Sequence, residues 1–239
     1  MSDHDSHDPK HPPYLAHHFD TPRQQFESGK LGMWIFLLTE VLLFSGLFCA
    51  YAVWRAINSN DLKYACWFLD TDLGAVNTVI LITSSLTMAW AVRCAQLGQK
   101  RGLVVLLSLT LLGGFGFLGI KTVEYKHKWD EGLLWERRFD PTDHALEVAA
   151  QRMGPTHALG DLSANAKTLG RFFSLYFLMT GLHGAHVIAG MIAIAWVLRR
   201  AIRGDFFESY FGPVDYVGLY WHLVDLVWIY LFPLLYLIH

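Results

Sequence analysis

This chain of 239 residues is 53% hydrophobic and only 17% charged, with a mean hydropathy of +0.29. That is too little charge for a soluble domain of its length, which carries roughly a quarter charged residues. A net charge of −2 and a pI near 6.6 give no basic surface for nucleic acid.

The chain opens with MSDHDSHDPKHPPYLAHHFDTPRQQ, a polar stretch rich in His, Pro and Asp. It contains no apolar segment of the signal-peptide type. His4, His7, His11, His17 and His18 offer adventitious metal contacts there, but the composition favours a solvated tail over residues 1–30. Five apolar runs follow, at about 31–54, 73–92, 103–120, 172–198 and 217–238. Each is long enough, at roughly 18 residues or more, to cross about 30 Å of hydrocarbon as a helix. None alternates with the period of two that a barrel strand needs. The expected fold is all-α: a polytopic membrane bundle of five transmembrane helices over residues 31–239, with a long loop at about 125–167.

Short connections carry the orientation signal. Lys10, Arg23 and Lys30 precede the first run. Arg93, Lys100 and Arg101 follow the second, and Arg199, Arg200 and Arg203 follow the fourth. These segments share one side, which places the N-terminus in the cytoplasm and the C-terminus outside. Trp54, Trp67, Trp90, Trp129, Trp196 and Tyr236 fall near the proposed borders, where amphipathic rings prefer to sit. The later runs do not repeat the earlier ones, against an inverted-repeat transporter. Cys49, Cys66 and Cys94 are odd in number and fit no CxxC spacing, so they predict neither a disulfide framework nor a thiolate metal site.

Ionisable residues inside a span are expensive and require partners. Glu40 sits near the middle of the first run, where it serves either as a proton relay or as a hydrogen bond between helices. The fourth run carries His183 and His186, three apart and therefore about 60° apart around a helix axis. Its Gly181, Ala185, Ala189 and Ala193 form a small-residue stripe that would admit a neighbouring helix closely. In the fifth run His222 and Asp225 are within hydrogen-bonding reach of each other on a helix, and Trp221 and Trp228 share a face. His186 and His222 would be the candidates for a bis-histidine haem, and Glu40 with the histidines for a metal. The pattern favours hydrogen bonds between helices over either, with no metal site.

Three of these segments also carry a family resemblance. LGMWIFLLTEVLLFSGLF, FFSLYFLMTGLHGAHVIAGM and GLYWHLVDLVWIYLF resemble, in order, helices of subunit III of haem–copper cytochrome oxidases. GIKTVEYKHKWDEGLL is a weaker fourth match, and together they span the chain from about Lys30 onward. The resemblance implies a non-catalytic subunit of a proton-pumping oxidase in a bacterial inner membrane. Haem and copper would belong to the partner subunits I and II, with none in this chain. Phospholipid would lie in a cleft, with Arg200 and Arg203 as headgroup candidates and Glu40 beside His186. The family's seven helices are reduced here to five, with the N-terminal pair missing. The electron donor is either cytochrome c or quinol, and the long loop would either touch subunit II or a cytochrome donor or be only a solvated loop. Alternatives are the corresponding subunit of a nitric oxide reductase, a haem b membrane cytochrome and an ion-coupled transporter.

Overall fold

The computed structural model describes residues 15–16, 18–58, 68–133, 139–153 and 166–237. Six helices occur among them: α1 (Pro22–Ile57), α2 (Thr71–Gln96), α3 (Lys100–Asp130), α4 (Asp143–Met153), α5 (Ala166–Arg203) and α6 (Gly212–Phe232). A π-helical turn, Pro233–Leu237, continues α6. Among the described residues five helices, all but α4, are long and apolar enough to cross a membrane. The chain is a multi-pass membrane protein, and its large exposed side chains, such as Leu31, Trp34, Leu42, Leu112 and Ile192, are those of a lipid-facing surface.

Several helix ends have local causes. Thr21 caps α1 by accepting from the Gln24 amide, and Pro22 occupies its first turn. Asp70 caps α2 in the same way. Two residues beyond α3, Gly132 has a φ of +70 that suits glycine; a Cβ there would collide with the Asp140 carbonyl. The Asp140 amide in turn donates to Gly132.

α2 and α3 form a tight antiparallel hairpin. Gly113 meets Ser84 and Gly116 meets Ile80, so α3 presents no Cβ at the closest approach. α5 and α6 close onto the hairpin, with the Trp221 ring seated on Gly190 and Gly114. α1 is peripheral: only 11% of its apolar window is buried, against 39% for the α6 segment. Its attachments are few and specific. Lys30 Nζ lies 3.4 Å from Asp215, Tyr51 donates to the Leu234 carbonyl at 3.3 Å, and Phe44 packs edge-on to His186.

The third span differs most from expectation. Its charged residues suggested a loop starting near Tyr125, but α3 runs to Asp130 and α4 occupies part of the remainder. Lys121, Glu124 and Lys128 recur at helical spacing on one buried face, where the Glu124 carboxylate pairs with both ammonium groups. α1 starts at Pro22, inside the segment expected to be tail. Of the border aromatics, Trp90, Trp129 and Trp196 are exposed and Trp54 is half-buried. Tyr236 is fully buried, and its hydroxyl donates to Glu124. Trp67, Cys66, Lys10, His4, His7, His11 and His17 lie outside the described residues.

Candidate functional site

Two polar constellations occupy the bundle. The first joins α1 to α5. Glu40 Oε2 lies 2.9 Å from His186 Nε2, with both side chains 16% exposed. The other ring nitrogen, Nδ1, lies 2.8 Å from the Leu182 carbonyl one turn earlier on α5. A carbonyl only accepts, so Nδ1 carries a proton. Nε2 then either accepts from a protonated Glu40 carboxyl or donates a second proton to the carboxylate. In both forms one shared proton keeps the pair electrically neutral. That is how a carboxyl is accommodated between two spans.

The second constellation lies where α3, α5 and α6 converge towards the C-terminal end. Glu124 Oε1 accepts from the Tyr176 hydroxyl at 2.7 Å and from the Tyr236 hydroxyl at 2.6 Å. Its Oε2 accepts from Lys121 Nζ at 2.7 Å, and Lys128 Nζ stands 3.8 Å from Oε1. Lys121 also donates to Tyr236 at 2.8 Å and stands 4.6 Å from the centroid of the Trp228 ring. Lys128 reaches the Phe68 carbonyl at 3.4 Å. Every member is buried. This ion cluster escaped the sequence reading, although its signal was present in KTVEYKHK as charges at i, i+3 and i+7. A cavity of about 270 Å³ opens beside it, lined in part by Asp70, Glu124, His127, Lys128, Glu131 and His144. A larger cavity, about 580 Å³, sits at the other end of the bundle between the starts of α1 and α6 and touches neither constellation.

The remaining residues of interest fall apart from one another. His183 does not share the environment of His186. It is fully buried between Phe117 and Trp228, with ring centroids at 5.5 Å and 5.3 Å. His222 does not bond Asp225: its Nδ1 lies 2.6 Å from Ser85 Oγ on α2. Asp225 is buried, and its Oδ1 has no hydrogen-bond partner among the described residues. The Ser85 hydroxyl from α2 is the side chain that both His222 and Asp225 meet. Trp221 and Trp228 do share a face, and both indoles donate to α2, at Ser84 (3.2 Å) and Thr78 (3.1 Å). His186 and His222 bond to different helices, α1 and α2.

The small-residue stripe faces outward. Gly181, Ala185 and Ala189 are exposed and Ala193 is half-buried, so the neighbour they would admit is not one of this chain's described helices. Arg200 is engaged by Asp205 at 3.0 Å and by Tyr210 at 3.4 Å, and it stacks on Trp196 and Phe206. Arg203 is exposed. Cys49 is exposed and Cys94 is buried.

Both constellations sit within segments matched by a known family. The sequence matches the family described as "Cytochrome c oxidase subunit III" over residues 14–129 and 163–239. It is similar to the cytochrome c oxidase subunit 3 of Bacillus subtilis, at 32% identity over 87% of this chain and 84% of that protein. It is also similar to the cytochrome bo(3) ubiquinol oxidase subunit 3 of Pseudomonas putida, at 30% identity over 87% and 84%. The quinol oxidase subunit 3 of Bacillus subtilis matches at 30% identity over 89% and 90%.

Proposed function

The chain belongs to the cytochrome c oxidase subunit III family, and from that premise we propose that it is a non-catalytic subunit that steadies the catalytic core of a haem–copper oxidase. Membership makes it part of an oxidoreductase complex with other subunits. The proposed role is to pack against subunits I and II, which hold the haem and copper, and to support proton uptake during reduction of oxygen to water.

The observation that carries this reading is the Glu40–His186 bond. It fastens α1, the least buried span, to α5 with a neutral, closed hydrogen bond. A pair whose proton is already shared, and whose second nitrogen is committed to a carbonyl, suits a clamp better than a step in a relay. The outward face with Gly181, Ala185 and Ala189 suits close packing by a helix of a partner subunit. Exposed Arg203, more than the engaged Arg200, suits a phospholipid headgroup. The charge pattern supports a cytoplasmic N-terminus in the bacterial cell membrane.

Relatives named for cytochrome c and for quinol oxidases match at 32% and 30% identity, too close to favour either donor. Purification through this chain in mild detergent tests the role. The complex is expected to carry haem absorbance, and the isolated chain is expected to carry none. Haem absorbance in the isolated chain would support a membrane cytochrome instead.

A further inference from the structure

In the middle of the bundle two fully buried polar side chains, His183 and Asn77, lack hydrogen-bond partners among the described residues. His183, on α5, has 0% exposure, and neither of its ring nitrogens has a hydrogen-bond partner. Asn77, on α2, is likewise at 0%, and both its amide oxygen and its amide nitrogen are unpartnered. Turning either group over cannot repair this, because both ends of each are orphaned. Trp228 connects the two places. Its ring lies 5.3 Å from that of His183, and its indole donates to Thr78, the residue after Asn77.

Buried polar groups are almost always satisfied, and where protein atoms do not reach them ordered water does. Within a membrane the requirement is stricter, since lipid offers no hydrogen bonds. The charged cluster lies between this place and a cavity. Glu124 lines the 270 Å³ cavity, binds Lys121, and Lys121 stands over the Trp228 ring.

We propose that Asn77 and His183 form an internal hydration site, binding ordered water between α2, α5 and α6 at the level of Trp228. The water supplies donors and acceptors to both side chains and enters along the Lys121–Glu124 chain. It lies apart from the Glu40–His186 pair, since His183 and His186 project to different neighbours.

Hydroxyl-radical footprinting by X-ray radiolysis of the intact oxidase complex tests this, because radicals formed from bound water mark the side chains beside it. Phe117 and Phe173 are chemically identical and equally enclosed, at 1% and 0% exposure. Phe117 lies against His183, whereas Phe173 packs among Phe68, Phe139 and Phe172. The site predicts several-fold more oxidation of Phe117 than of Phe173, with Trp228 also marked. Equal, background-level modification of the two phenylalanines would overturn it. The double variant Asn77→Leu, His183→Phe is expected to bring Phe117 down to the level of Phe173. Undiminished marking of Phe117 in that variant would remove the assignment to these residues. If the variant does not assemble, the contrast within the unaltered complex decides alone.

Discussion

Glu40 and Glu124 are both carboxylates within spanning helices, yet their surroundings differ in every respect. Glu124 is 3% exposed and has four partners from three helical segments: Lys121, Lys128, Tyr176 and Tyr236. Glu40 is 16% exposed and has His186. The ion cluster welds helices that are already in close contact, so its removal should disturb the whole bundle. The single clamp holds a helix that touches its neighbours in few places, so its loss should free one helix and leave the rest intact. A carboxylate's cost inside a membrane is thus met either by many fixed partners or by one shared proton.

The largest effect is expected at the cluster. Glu124→Leu strands Lys121 and Lys128 in a buried site without their counter-ion, which costs about 3–5 kcal/mol. Assembled complex should fall sharply, as read by the yield of detergent-extracted oxidase and its thermal midpoint. Replacing Lys121 and Lys128 by Met in the same chain should restore much of the loss, because no charge is then left unpaired and the Tyr176 and Tyr236 hydroxyls still bond each other at 2.9 Å. Persistent loss in that triple variant would mean that the tyrosine bonds, rather than charge balance, hold this end together.

Glu40→Ala should cost less, about 0.6–1.7 kcal/mol, the range for hydrogen bonds between membrane helices. Oxygen reduction should begin at a nearly normal rate and decline faster with turnover. A rate abolished from the first turnover would give Glu40 a chemical role that a clamp does not have. The comparison also predicts selective labelling. A hydrophobic carbodiimide entering from lipid should modify Glu40, which is partly exposed, and spare Glu124, which is enclosed. Mass spectrometry of peptides carrying both would show it, and labelling of Glu124 first would reverse the assignment. The smallest effect is expected for Thr78→Ala, which leaves the Trp228 ring in place and removes the one bond its indole donates, about 0.6 kcal/mol.

The five spans were legible because hydrophobic length is a local property, and Glu40 was legible because one carboxyl in an apolar run stands out. The ion cluster was not. Hydropathy treats Lys121 and Glu124 as an exit from the membrane, and only the packing of α5 and α6 shows that Tyr176 and Tyr236 receive them. His222 and Asp225 erred in the opposite direction. Proximity in sequence suggested a bond, but Ser85 from α2 occupies the position that His222 faces. The small-residue stripe lies on a mostly exposed face of α5, and its spacing does not tell whether a neighbour would belong to this chain. Spacing along one helix identifies a face and leaves its occupant to tertiary structure.

The most direct test of the supporting role is oxygen consumption by the purified complex with and without this chain, followed over many turnovers. A non-catalytic, stabilising subunit predicts the same haem spectrum and a similar initial rate in both, with faster decay when the chain is absent. Loss of haem absorbance, or of the initial rate itself, on removal of the chain would contradict it.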